Sequence, residues 1–458
     1  MHIIEKLAHK SCLILGFGRE GKSTYRFLRS KFPDKEIVVA DGNSNLEITE
    51  YQNDNRSKFI LGVDYLSYIN QFEIVIKTPG ISLKDFEVSQ PTEITSQTDI
   101  FLQLYSNQTI GITGTKGKST TTTLIYHILS QHNSNVLLAG NMGIPLFDIV
   151  DKINSESIIV CEFSSHQLEY LTVAPHISIL LNLFQEHLDH YKSYEHYQLA
   201  KLNIAIKQQS DDYFIYNYDD ETIANLLNTN KIASNKIPFS TQNMLTNGYF
   251  LNSKSDLIKS IEQENDFCYS FEQKFPLLGN HNRKNMIAAT IIAELFQIST
   301  SNIVASLKSF NPLPHRLEYV GTHQGIDFYN DSISTIPQAT IEALNTLKNT
   351  ETLILGGFDR GIAYESLIQY LIKNPVKNII FTGNAGKRML ELWEMEISKP
   401  KINCYFEEDY RDILSIVFEV TKPGKICLLS PAASSYDKFK NFEHRGDFYK
   451  ELIQIHTN

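Results

Sequence analysis

The stretch Gly111-Ile112-Thr113-Gly114-Thr115-Lys116-Gly117-Lys118-Ser119-Thr120 follows residues 107–110, which lead into a short strand, and opens a segment, 121–131, that reads as a helix. A strand, a glycine-rich turn ending in Gly-Lys-Ser, and a helix together grip nucleotide phosphates. Glycines let successive N–H groups curl inward, and the helix N-terminus adds partial positive charge. Gly114, Thr115, Lys116, Gly117, Lys118, Ser119 and Thr120 are therefore the candidate phosphate-binding residues. Lys118 would reach the β- and γ-phosphates, and Ser119 would ligate Mg²⁺. The standard pattern G-x-x-x-x-G-K-[ST] asks for glycine where Ile112 stands, so a plain glycine turn is the competing reading. Threonine is a mediocre helix former. A run of it over 120–123 points to hydroxyls that matter near the phosphates.

Three further groups could act with this loop. Glu162 ends an apolar strand over 157–161, His187 follows another over 177–183, and Lys201 lies in a helical stretch over 194–207. In a doubly wound sheet the carboxyl ends of the strands share one edge, so these side chains could surround one nucleotide–metal site. Taken singly, Glu162 reads equally as a solvated strand end, His187 as a loop histidine, and Lys201 as a surface lysine. A second glycine turn, Gly16-Phe17-Gly18-Arg19-Glu20-Gly21, follows a strand over 11–15 and precedes a helical stretch over 22–29. A strand over 37–40 then ends at Asp41. Alone this G-x-G-x-x-G suggests NAD, but the physics supports only a diphosphate on a helix N-terminus.

The elements that must position these groups are repeated strand–loop–helix units, which imply mainly parallel sheets. Residues 1–97 carry the first glycine turn and a strand over 73–77 that ends in Thr78-Pro79-Gly80. Residues 98–311 carry the phosphate loop, a turn at Gly140-Asn141-Met142-Gly143, and a small β insertion with a hairpin expected at Asn247-Gly248. A helix is expected over 286–296. Residues 312–458 follow the break Asn311-Pro312-Leu313-Pro314 and hold strands over 326–329, 352–355, 378–382 and 425–429. Three α/β domains fit a chain of 458 residues.

A net charge of −10 argues against a nucleic-acid partner. Any anionic substrate must then be met by local basic groups and backbone amides. Cys12, Cys161, Cys268, Cys404 and Cys427 have no paired spacing and fit a reducing compartment. The N-terminal stretch has no signal-peptide pattern, and the apolar run 177–184 is too short to span a bilayer, so no membrane association is expected and the reading is cytoplasmic.

Over nearly its whole length the chain resembles the Mur ligases of peptidoglycan synthesis, and the D-glutamate-adding branch in particular. The resemblance rests on Gly111 to Thr120, Glu162-Phe163-Ser164-Ser165, Asn182 to His190 and Ala200-Lys201. It continues in His281-Asn282 with Asn285, His315-Arg316-Leu317-Glu318, Asn330-Asp331-Ser332 and Gly356 to Gly361. The run from Leu429 through Ser430-Pro431-Ala432-Ala433-Ser434-Ser435 to Arg445-Gly446 is the most specific part. The resemblance implies a Rossmann-like N-terminal domain binding a UDP-sugar, a central P-loop ATPase-like domain, and a Rossmann-like C-terminal domain binding the incoming amino acid. It implies a monomeric ATP-dependent, ADP-forming ligase that joins D-glutamate to UDP-N-acetylmuramoyl-L-alanine through an acyl phosphate.

Site roles follow from the same resemblance. Lys118 would contact the ATP phosphates. Ser119 and Glu162 would bind one Mg²⁺, and His187 a second, bridged by Lys201 as a carbamate. Asn285, Arg316 and Asp331 match ATP contacts. Ser435 and Phe442 match positions at the amino acid, and Arg360 stands where the family carries a basic residue for the D-glutamate carboxylates. Gly18, Arg19, Asp41, Thr78, Pro79, Gly80 and Asn141 fall where the UDP-sugar binds, so the first glycine turn is expected to hold UDP, not NAD. Two positions depart from the family: Gly42-Asn43 follows Asp41, where a Thr or Ser and a basic residue are frequent, and Ile333 stands where a lysine can occur. Competing readings are another amide ligase of the Mur/folylpolyglutamate synthase superfamily, a nucleotide-switch ATPase, and an NAD-dependent dehydrogenase.

Overall fold

The computed structural model describes residues 3–187 and 189–457. Leu188, within the Glu186 to His190 motif, and Met1 and His2 of the N-terminal stretch lie outside the described residues. The chain divides into two compact units, one comprising 1–275 and 284–310, the other 276–283 and 311–458.

The first unit holds two sheets. Five parallel strands run in the spatial order Ser57–Leu61, Ile37–Asp41, Cys12–Leu15, Ile74–Lys77, Glu93–Thr95. Leu13, Ile14 and Leu15 are fully buried, as befits a parallel strand covered on both faces. The second sheet has nine strands. Its parallel part is ordered Gly248–Leu251, Asn235–Ser240, Tyr213–Asn217, Ile177–Leu180, Thr109–Thr113, Ile158–Glu162, Val136–Gly140. The phosphate-loop strand therefore lies between the strands that deliver Glu162 and the His187 segment.

The Asn247-Gly248 hairpin does not form. Gly248–Leu251 pairs in parallel with Asn235–Ser240, and only Asp256–Ile261 and Glu264–Ser270 continue antiparallel. The small β insertion is thus the far edge of the nine-stranded sheet. Gly248 serves close strand approach: at φ +123° a Cβ there would lie 2.3 Å from the Pro238 carbonyl oxygen. The tight turn is Glu262-Gln263, both left-handed at φ 51° and 73°, as a two-residue hairpin loop demands.

Buried side chains join these two sheets. Gln167 Nε2 donates to Glu20 Oε1 at 2.6 Å, and Gln97 Nε2 donates to the Glu20 carbonyl at 3.2 Å and to Thr24 Oγ1 at 3.0 Å. Burial pushes the Glu20 carboxyl from 4.5 up to about 7, against the pull of Gln167 and Lys77. A raised carboxyl favours folding at acid pH, and that contribution is lost as the pH climbs through 7. Glu20→Gln keeps an oxygen for Gln167 and removes the buried charge. It is expected to raise Tm by about 2–4 °C at pH 8 and by less at pH 5. Thermal scans giving equal shifts at both pH values would exclude titration of Glu20 as the cause.

The second unit holds six strands in the order Glu318–His323, Ile326–Asn330, Ile426–Leu429, Thr350–Gly356, Asn378–Thr382, Asn403–Phe406. All neighbours are parallel except the first pair. Three α/β domains thus make up the chain. Cys12, Cys161, Cys268 and Cys427 are buried, and all five cysteines are free thiols. No helix among the described residues is long and apolar enough to cross a membrane.

Candidate active site

Ile112 marks where strand ends and loop begins. It is fully buried inside Thr109–Thr113, paired with Glu162 on one side and Ile179 on the other, so the motif's first glycine position here belongs to the core. The turn itself is tied down by Asn182. Its Oδ1 accepts from Lys116 N at 2.8 Å, its Nδ2 donates to the Lys116 carbonyl at 2.9 Å, and its own carbonyl accepts from Thr115 N at 2.9 Å. Thr115 Oγ1 meets Tyr197 Oη at 2.7 Å and accepts from Phe184 N at 2.9 Å. Gly117 caps the helix Lys118–Ser130 in the left-handed region, φ 84°. A Cβ at Gly117 would fall 2.7 Å from Asn285 Oδ1, which places Asn285 against the loop.

The threonine run serves the helix more than the ligand. Thr122 Oγ1 and Thr123 Oγ1 donate back to the Lys118 and Ser119 carbonyls at 2.9 and 2.7 Å, and the Thr121 hydroxyl is buried. The Thr122 and Thr123 hydroxyls therefore face the helix backbone, against the expectation for those two positions, while the Thr121 hydroxyl has no partner among the described residues. Ser119 and Thr120 remain in the first turn.

Glu162 and Lys201 are both 2% exposed, so neither the solvated strand end nor the surface lysine applies. Asn141 Nδ2 donates to Glu162 Oε1 at 2.7 Å, while Oε2 is buried with no partner among the described residues. Lys201 sits on Tyr194–Ile206, a helix begun by Ser193 accepting from His196 N. The Gly114 carbonyl accepts from both Lys201 Nζ and Lys118 Nζ at 2.9 Å. Burial and then the Lys118 charge drive the Lys201 amine well below its usual range. His187 lies beside Glu186 at 3.9 Å, and burial lowers its imidazole. Lys116 pairs with Glu186 at 2.6 Å.

A cavity of about 370 Å³ gathers Lys118, His187, Lys201, Asn141, Pro79 and Gly80. Ser164, Ser165, His166, Glu186, Asp189, His190 and Tyr197 complete its lining. Glu162 stands behind Asn141. Arg19 approaches the Gly140–Gly143 turn, since a Cβ on Gly143 would lie 3.1 Å from Arg19 Nη1. Gly18 is exposed at the N-cap of the helix Arg19–Lys31. Asp41 and Thr78 are used internally. Asp41 Oδ2 accepts from Phe17 N at 2.7 Å and Oδ1 from Asn43 N at 2.8 Å, while Thr78 Oγ1 donates to the Leu15 carbonyl at 3.0 Å. Both hold the first glycine turn in shape.

In the second unit, Asp331 is buried, and burial pushes its carboxyl up to about 6. Its Oδ2 accepts from Ser334 at 2.5 Å and Ser430 at 2.8 Å, and Oδ1 accepts from Leu317 N at 3.2 Å. The last of these fixes the backbone just after half-buried Arg316. Ser435 is buried and Phe442 half-buried. Exposed Arg360 donates to the Thr335 carbonyl at 3.3 Å. Arg445, 1% exposed, ties the segment before Ser435 to Ser332, donating to Ser332 Oγ, the Ser332 carbonyl, and the Ala433 and Ser434 carbonyls at 2.9, 2.7, 3.0 and 3.2 Å.

Several participants had no role in the sequence reading. Asn182 and Tyr197 shape the phosphate loop through tertiary bonds that no local spacing signals. Lys77, 2% exposed, pairs with Glu169 at 3.3 Å, and Glu169 meets His190 Nε2 at 3.2 Å. His166 packs against this group, and burial, then His190 and His187, push its imidazole down to about 3. The only available signal was an ionisable residue ending an apolar strand, as Lys77 does.

A Gly-Lys-Ser loop at the carboxyl edge of a parallel sheet, with a buried carboxylate and lysine behind it, defines a phosphate-binding α/β enzyme. Residues 112–293 match the Mur ligase middle domain. The UDP-N-acetylmuramoylalanine–D-glutamate ligase of Ruminiclostridium cellulolyticum is 32% identical over 460 residues, covering 97% of this chain and 96% of that one. The ligase of the same name from Listeria innocua is 32% identical, with 99% and 98% covered. In fold, the chain is similar to the MurF ligase of Thermotoga maritima, solved in complex with ADP, at TM-score 0.57 and 14% identity, with 100% and 98% covered. The chain belongs to the UDP-N-acetylmuramoylalanine–D-glutamate ligases of the Mur ligase family.

Proposed function

We propose that this chain joins D-glutamate to UDP-N-acetylmuramoyl-L-alanine at the expense of ATP, releasing ADP and phosphate, in peptidoglycan precursor synthesis. The observation that carries the reading at the level of the site is the single cavity shared by Lys118, Asn141, His187, Lys201 and the Pro79-Gly80 turn. The substrate carboxylate attacks the γ-phosphorus, and the bond to the bridging oxygen of ADP breaks. The D-glutamate amine then attacks the acyl carbon, phosphate leaves, and the amine gives up its proton. Lys118 offsets charge on the transferring phosphoryl group. Asn141 orients Glu162, and Asn182 holds the loop amides in place. Asn285, Arg316 and Asp331 are assigned to the nucleotide, and Arg360, Ser435 and Phe442 to D-glutamate. Gly18, Arg19, Asp41, Thr78, Pro79 and Gly80 are assigned to the UDP-sugar. Arg360 suits a carboxylate through bidentate pairing, whereas Asp41 and Thr78 would act by shaping the turn.

The partnerless Glu162 oxygen fits a divalent cation. Histidine, cysteine, aspartate and glutamate alone form no metal-holding group of three or more among the described residues, so the set must draw on other donors. Ser119 with Glu162 would hold one Mg²⁺, and His187 with a carbamate on Lys201 would hold a second. Bound there, the ions would supply charge neutralisation at the phosphates. A neutral Lys201 amine is the form that adds carbon dioxide, with a C–N bond formed and a proton released.

The reading is tested by ADP and phosphate release across a panel of amino acids with UDP-N-acetylmuramoyl-L-alanine. Release should need ATP, the UDP-sugar and D-glutamate together, with other amino acids inactive. Release with ATP alone, indifferent to both partners, would leave a nucleotide switch instead.

A further inference from the structure

His166 lines the cavity, yet no phosphate or metal role falls to it. Its ring is held from several sides. Tyr191 stacks flat on it, with centroids 5.5 Å apart and planes 3° from parallel. His190 packs at 4.1 Å and His187 at 4.7 Å. His190 is itself fixed by Glu169 at 3.2 Å, and Glu169 by buried Lys77 at 3.3 Å. The residue lies in the short helix Ser165–Leu168, whose start is closed by a reciprocal Ser164–Gln167 capping box. Within this fixed setting Nε2 is buried without a hydrogen-bond partner among the described residues. A buried polar atom left unpaired is costly, and such an atom beside a ligand cavity is satisfied when a ligand supplies the partner.

The lining indicates which part of the ligand that is. Pro79 and Gly80 sit at the strand end assigned to the sugar diphosphate, and Lys118 is assigned to the γ-phosphate. A substrate whose carboxylate reaches the γ-phosphate beside Lys118 must run the amide of its alanyl arm through the same cavity, whose lining includes His166. We propose that His166 is a specificity-determining residue of this chain, hydrogen-bonded through Nε2 to the amide beside the carboxylate that becomes phosphorylated. This rests on the function proposed above.

The experiment titrates the purified chain and two variants, His166→Phe and His166→Asn, with UDP-N-acetylmuramoyl-L-alanine and with UDP-N-acetylmuramate, calorimetrically, in EDTA and without ATP. Phenylalanine keeps a ring for Tyr191 to stack on, and asparagine keeps a donor and an acceptor. The Phe variant should bind the alanyl substrate about ten-fold more weakly, the loss expected for one hydrogen bond. It should bind the probe lacking alanine unchanged, and leave KM for ATP and D-glutamate unchanged. The Asn variant should recover part of the loss. Equal affinity of the Phe variant and the parent for the alanyl substrate overturns the contact. Equal weakening with both probes also overturns it, as a packing effect. Failure of the parent chain to bind either UDP-sugar overturns the functional reading itself, and the contact with it.

Discussion

Lys201→Ala is expected to lower turnover by about a thousand-fold or more, the scale of losing a main electrostatic group of a phosphoryl-transfer site. Formate or acetate is expected to restore part of it. A surface lysine on the helix Tyr194–Ile206 would cost little to remove, but this one is 2% exposed and donates to the Gly114 carbonyl within the phosphate loop. An ammonium group there would be expensive, and it would face Lys118 on the same carbonyl. Both effects push the amine toward its neutral form, the form that can carry a carbamate, which presents oxygens where an ammonium would present a charge. Alanine leaves room for a small carboxylate to place similar oxygens in the cavity. Steady-state ADP release with and without the added acid checks this, with thermal melting to confirm the fold. Near-normal turnover of the variant in the absence of any acid would end the carbamate assignment.

Gly117→Ala is expected to weaken ATP binding by at least about a hundred-fold, or roughly 3 kcal/mol, while UDP-sugar binding persists. Two costs combine. The residue is left-handed at φ 84°, where a Cβ is strained by about 1–2 kcal/mol. That Cβ would also stand 2.7 Å from Asn285 Oδ1, so either the helix start or the asparagine must move. Both are assigned to the nucleotide, and neither belongs to the Pro79-Gly80 turn. Calorimetric titration with ATP and, separately, with the UDP-sugar reads the two effects. Equal losses for both ligands would mean general unfolding of the unit, and unchanged ATP affinity would remove the loop from the nucleotide site.

Sequence periodicity and punctuation determined most of the architecture. The strands over 37–41, 74–77, 378–382 and 426–429 are short apolar runs bounded by polar or glycine turns. A parallel sheet must read that way because both its faces are buried. The phosphate loop was legible because its function is local: glycine, lysine and serine act at fixed offsets from one helix start. Family resemblance placed Glu162, His187 and Lys201, which the residues alone left open between ligand and bystander.

Only the tertiary structure decided the rest. Burial is not encoded in spacing, so Lys201 could not be told from a surface lysine until the helix packed against Gly114. Asn247-Gly248 looked like a hairpin because that dipeptide favours left-handed backbone, yet its glycine is needed for strand contact with Pro238, and the turn formed at Glu262-Gln263. The Lys77–Glu169–His190 chain and the His166 ring join residues from sheets far apart in sequence. Long-range pairing of ionisable groups depends on how sheets dock. The sequence by itself therefore determined where the Gly-Lys-Ser turn lies on its strand and helix, and the fold decided which buried groups surround the cavity beside it.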